Sequence, residues 1–130
     1  MKLDNLLPQL ILEFPRLFRY TESQGRSEVY QGWYPLLQDL CQNIDGCLDD
    51  LEAEQFRILQ IKEKIGSLRF YFRCAPTSRP KLEQFLTVAH EQSEITCLVC
   101  GKTGVRLKDQ LHNSICPLCD AKLTKGSFKF

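Results

Sequence analysis

Nowhere does this chain approach the roughly 20 consecutive apolar residues that a membrane-spanning helix needs, so no membrane partner is expected. Its start, Met1 to Pro8, places Asp4 and Pro8 where a secretion signal requires an unbroken apolar run, and a cytoplasmic location is expected. Charge of one sign is not in excess. The 17 basic and 16 acidic side chains nearly cancel, which argues against a generic polyanion binder. Histidine is scarce: His90 and His112 are the only two, and neither sits in a recognisable catalytic motif. There is no phosphate-binding glycine loop, no internal repeat, no low-complexity tract and no paired-carboxylate motif. The expectation is a protein that is not an enzyme.

Cysteine, by contrast, is plentiful. Seven is an odd number, so complete disulfide pairing within one chain is excluded, and two CxxC pairs are typical of metal binding in a reducing compartment. Cys97-Leu-Val-Cys100-Gly101 and Cys116-Pro-Leu-Cys119 stand 15 residues apart, the arrangement of a tetrahedral Cys₄ zinc site. Two residues between cysteines let both thiolates of one turn reach the same ion, and Gly101 relieves crowding where the backbone turns beneath it. One structural Zn²⁺ is expected, because four sulfur ligands leave no open coordination position. Free buried thiols or a redox pair are the alternatives, and the spacing favours zinc over both. His112, four residues before Cys116, is read as an exposed loop residue rather than a ligand. Cys41 falls on an apolar helical stripe and reads as a core residue, while Cys74 follows the second strand near Pro76 and lacks an obvious partner as a nucleophile.

Organisation follows from periodicity. Leu3, Leu6, Leu7, Leu10, Ile11 and Phe14 recur at helical spacing up to Pro15, which should end or kink that segment. From Trp33 a second apolar stripe, Leu36, Leu37, Leu40, Cys41, Ile44, Leu48 and Leu51, predicts a longer helix that Asp45-Gly46 is able to break. Residues 56 to 63 and 68 to 73 are rich in strand formers around Lys64-Ile65-Gly66-Ser67 and predict a β-hairpin. Ser78 is placed to cap a helix from Arg79 to about Ser93, with Pro80 in its first turn and Leu82, Phe85, Leu86 and Ala89 on one face. The fold class is therefore α+β, with helices packed on a β-hairpin or small antiparallel sheet and a C-terminal Cys₄ zinc ribbon. Residues 1–96 carry 11 basic and 14 acidic side chains and residues 97–130 carry six and two, a shift that suggests two parts, an α+β domain and a zinc ribbon with a basic tail.

Two charged surfaces are candidate binding sites. Asp39, Asp45, Asp49, Asp50 and Glu52 fall outside the second stripe with no basic residue among them, which predicts an acidic face suited to a basic protein partner. The hairpin supplies Arg57, Lys62, Lys64, Arg69 and Arg73 around Tyr71, able to follow a phosphate backbone together with Lys102, Arg106, Lys108 and the tail lysines Lys122, Lys125 and Lys129. Ordinary solvation would also account for either surface.

Gly32-Trp33-Tyr34-Pro35-Leu36-Leu37, Leu40-Cys41 and Gln60-Ile61-Lys62-Glu63-Lys64-Ile65-Gly66-Ser67-Leu68-Arg69-Phe70-Tyr71 resemble a group of small bacterial and phage proteins. Its members carry a GW-plus-leucine helix, a QxKEKxGxLRFY hairpin and a cysteine-rich end. The likeness runs over roughly residues 30 to 119 and departs at Ile65 and Ser67, where the group has an aromatic residue and glycine. It supplies no catalytic residues. By analogy with accessory genes of scattered distribution, it implies an immunity or inhibitor protein that neutralises a toxin or defence enzyme by direct binding. The alternative expectation is a nucleic-acid-binding zinc ribbon.

Overall fold

In the computed structural model, residues 4–19, 27–102, 115–116 and 118–119 are described. Helix α1, Leu7–Glu13, begins with Pro8 in its first turn, where a missing N–H costs nothing. Asn5 fixes its entry, since one side-chain oxygen accepts from Leu7 N at 3.1 Å and from Val29 N at 2.9 Å. Pro15 does end the helix, and a single turn, α2 (Pro15–Phe18), restarts at it. Leu10 and Leu17 are thereby both fully buried.

A 3₁₀ turn, Gln31–Trp33, leads into α3, Tyr34–Cys47. Gly46 does not break this helix in the middle. It ends at Cys47, Leu48 turns extended, and Asp49 starts a new helix, α4 (Asp50–Gln55), with a reciprocal capping box. Asp49 Oδ1 accepts from Glu52 N at 2.7 Å, and Glu52 Oε1 accepts from Asp49 N at 3.1 Å. The restart resets the helical phase. Leu36, Leu37, Leu40, Cys41, Ile44 and Leu48 are buried as the stripe predicts, but Leu51, read as its last member, is 76% exposed.

Strands β1 (Arg57–Lys64) and β2 (Ser67–Arg73) pair antiparallel, with Lys64 opposite Ser67 and a two-residue turn between. The uneven alternation of β1 has a cause: the register slips between Ile58 and Gln60, which leaves Leu59 as a bulge. The extra residue inverts parity, so Ile58 and Ile61, three apart, both face the core. Both turn residues take positive φ, +52° at Ile65 and +77° at Gly66, the mirror-image turn that matches strand twist. A β-branched residue is strained there, and Ile65 is 59% exposed, so its side chain returns little packing. Replacing it by glycine or asparagine should raise stability by about 1 kcal/mol in a denaturant titration; a loss would show that Ile65 is held by contacts rather than tolerated.

Buried serines close the hairpin's edges. Ile61 N donates to Ser27 Oγ at 3.0 Å, and Leu68 N donates to Ser93 Oγ at 2.9 Å. Helix α5 spans Arg79–Ser93, the bounds its sequence predicts, and lies on α3 and β2 through Leu82 and Ala89. Ser78 precedes it without capping it; its hydroxyl donates to Glu52 Oε2 at 2.6 Å. The result is an α+β fold around one core. That core includes Cys97, Leu98, Val99, Ile115, Cys116 and Cys119 beside Trp33 and Leu36.

Candidate metal centre

The end of α5 delivers the chain to the cysteines through a tight turn in which Thr96 Oγ1 donates to Gln92 O at 2.6 Å. Cys97 then opens a knuckle. Gly101 N donates to Cys97 O at 2.9 Å, and Cys97 N donates to Lys102 O at 3.0 Å. Gly101 adopts φ +79°, the left-handed conformation that the turn requires. The backbone amides of Val99 and Cys100 point at Cys97 Sγ from 3.4 and 3.5 Å, donors that stabilise a thiolate.

The second pair closes on the first. The four sulfurs of Cys97, Cys100, Cys116 and Cys119 all lie within 4.8 Å of one another, and Cys100 Sγ stands 3.8 Å from Cys116 Sγ. That is far beyond a disulfide bond of about 2.05 Å. It equals the edge of a sulfur tetrahedron around an ion at about 2.3 Å, roughly 3.8 Å. The donor set thus fits one tetrahedral metal ion with no position left over. Burial works against ionising Cys116, yet the Cys119 amide and the neighbouring thiols outweigh it and bring the group down to about 7. Burial is the largest cause that pushes Cys119 and Cys100 up.

Sequence reading missed what holds the knuckle in place. Gly32 N donates to Leu98 O at 2.7 Å, and Trp33 Nε1 donates to Thr96 O at 2.8 Å across 63 residues. A Cβ on Gly32 would lie 2.2 Å from Cys97 O and 2.5 Å from Leu98 C. The Gly-Trp pair, quoted only as a shared motif, is therefore the seat on which the first CxxC turn rests.

Cys41 is fully buried, and burial, then the nearby Asp45, pushes its thiol up to about 12, consistent with a core residue. The acidic residues are dispersed among structural duties. Asp45 pairs with Arg16 at 2.8 Å, and Arg16 also donates to the carbonyls of Asp45 and Leu48, sealing the end of α3. Asp49 is a cap, and Asp50 lies 3.6 Å from Arg16. Lys81 donates to Cys47 O at 2.9 Å and forms an ion pair with Glu52 at 2.9 Å. Asp39 borders a groove, of about 450 Å³, with Pro35, Leu36, Gln92, Ile95 and the knuckle's Gly101.

Glu52 is only 14% exposed in its side chain, and hydrogen bonds from Ser78, Lys81 and the Asp49 amide hold its carboxyl down to about 2. A depressed carboxylate stabilises the fold above its unfolded pKa, and that contribution disappears as pH falls from about 4.5 through 2. Glu52→Gln should therefore destabilise the protein at pH 7, and the gap to the parent chain should narrow steadily in melts taken from pH 5 down to pH 2. A gap independent of pH would assign the loss to shape instead of charge.

The basic residues remain together. The hairpin's outward positions place Lys62 opposite Arg69 and Arg57 opposite Arg73, with Tyr71 between. Tyr71 is 44% exposed, and Lys62 Nζ stands 5.8 Å from its ring centroid. Arg69 Nε is buried without a hydrogen-bond partner among the described residues. Lys102 is exposed beside the knuckle, whereas Arg106, Lys108, His112, Lys122, Lys125 and Lys129 lie outside the described residues.

No family model, curated protein or solved structure matches this chain. Among the described residues no helix is long and apolar enough to cross a membrane.

Proposed function

We propose that the chain is a non-enzymatic recognition module, cytoplasmic, in which one structural Zn²⁺ held by Cys97, Cys100, Cys116 and Cys119 fixes the fold and the outer hairpin face binds nucleic acid. The observation that carries the binding reading is the pairing of like charges across the strands, Lys62 opposite Arg69 and Arg57 opposite Arg73. Like charges set directly opposite one another destabilise a sheet, and Lys62 facing Arg69 on the outer side suits that face to a polyanion. The near-neutral charge of the whole chain does not oppose this, because the acidic side chains Asp45, Asp49, Asp50 and Glu52 stand beside Arg16, Lys81 or a helix start rather than on the hairpin.

Fluorescence anisotropy with labelled oligonucleotides tests it. Four phosphate contacts, by Lys62, Lys64, Arg69 and Arg73, would give a plot of log affinity against log salt with a slope of about −3 for a single strand. Absence of any binding at low salt would sink the reading. Mass spectrometry of the native protein should find one zinc ion per chain, lost on Cys100→Ser.

A protein partner is the second reading, as for an immunity or inhibitor protein that binds a toxin or defence enzyme. What favours it is the groove beside the knuckle, apolar at Pro35, Leu36 and Ile95 with Asp39 on its rim, a shape suited to a hydrophobic segment flanked by a basic residue. Asp39→Lys should then abolish co-purification of the partner and leave oligonucleotide binding untouched.

A further inference from the structure

Alongside β2 runs a second groove, of about 420 Å³, whose lining includes Phe70, Tyr71, Phe72, Arg79, Glu83 and His90. Its helical wall is one face of α5: Arg79, Glu83 and His90 recur over three turns, about 16 Å. The strand wall is fixed by ring packing, with Phe72 stacked on Phe56 at 5.9 Å and tilted against Phe70 at 6.2 Å. Arg79 lies over the Phe72 ring at 4.6 Å and is held there by Glu83 at 2.9 Å. Of the rings in this lining Phe70 is buried and Phe72 is packed against Phe56 and under Arg79, so the half-exposed Tyr71 ring is the face open to a base, beside a carboxylate, a guanidinium and an imidazole, the hydrogen-bonding groups that read the edge of a heterocycle.

The geometry points to a slot for an unstacked nucleobase, and so to single-stranded rather than duplex nucleic acid as the ligand of the hairpin face. This rests on the nucleic-acid reading above and deepens it. Tyr71 joins the two surfaces, since it borders the groove and also stands on the cationic face between Lys62, Arg69 and Arg73. A strand whose phosphates follow those cations would carry its bases over the Tyr71 edge and into the groove. Bases locked in a duplex present no free ring face to Tyr71, whereas a single strand presents one per nucleotide. Charge complementarity selects the backbone, and the Tyr71 ring selects its single-stranded form.

Anisotropy titrations of the full chain with a labelled 12-nucleotide single strand and the matching duplex separate the possibilities. The single strand should bind more tightly at equal salt. Tyr71→Ala should weaken single-strand binding roughly 5- to 100-fold and leave the salt slope unchanged, while Tyr71→Phe retains the ring and the affinity. Arg73→Ala should reduce the salt slope by about one on either ligand. Circular dichroism melts of each variant establish that the half-exposed tyrosine was removed without unfolding. Equal affinity for duplex and single strand, with Tyr71→Ala silent and Arg73→Ala effective, would overturn the base slot and leave the cationic face standing. No binding of either ligand would overturn both.

Discussion

Gly32→Ala will weaken zinc binding roughly a hundredfold and cost about 3 kcal/mol of stability, although it adds a single methyl group far from the sulfurs in sequence. The new carbon would stand 2.2 Å from Cys97 O, 2.5 Å from Leu98 C and 2.6 Å from Leu98 O. All three are backbone atoms, which cannot swing aside as a flexible side chain does. The knuckle must lift, and with it go the Gly32–Leu98 hydrogen bond of 2.7 Å and the geometry of Cys97. Gly46→Ala provides the contrast. Gly46 is an exposed helical residue in α3, and nothing lies within 4 Å of its added carbon, so the same substitution there should stabilise by about 0.5 to 1 kcal/mol. Competition with a chromophoric chelator and denaturant titrations check both. A Gly32→Ala protein with parental zinc affinity would show that the seat under the knuckle does not matter.

Removal of the zinc proposed for the four cysteines should have the second large effect. Structural zinc contributes on the order of 10 kcal/mol in small modules, and here three of the four sulfur ligands belong to the main core beside Leu98, Val99 and Ile115. Without the ion, these buried thiols lose the centre that draws them together. The melting temperature should fall by more than about 10 °C on chelation and return on adding zinc. Loss of the whole transition, rather than of a small separate one, is the expected form, because Cys97, Cys116 and Cys119 share the buried cluster with Trp33 and Leu36. A chelated protein that melts within about 2 °C of the parent would refute the structural role.

Local chemistry was legible in the sequence. Pro15 divides two helices as its missing N–H and fixed φ require, α5 has its predicted bounds, and the four cysteines meet as their spacing implies. Phase was harder to read. A continuous stripe from Leu36 to Leu51 presumes one helix axis, but the Asp49–Glu52 capping box starts a second, and Leu51 turns to solvent. Similarly, an acidic helix face presumes that carboxylates lack partners. Arg16 and Lys81, some 29 residues from Asp45 and Glu52 respectively, reach them only after folding. The seat of the metal knuckle was invisible for the same reason: glycine before a helix start is an ordinary turn signal until the backbone that crosses it is known.

Trp33 is the chain's single tryptophan, 1% exposed, with its indole N–H bound to the residue just before Cys97. An intrinsic chromophore is thereby tied to the turn that carries the first cysteine pair. Its ultraviolet emission belongs to one site alone and should shift to longer wavelength when the knuckle loosens. Loading of the ion can then be followed in real time, with no label attached.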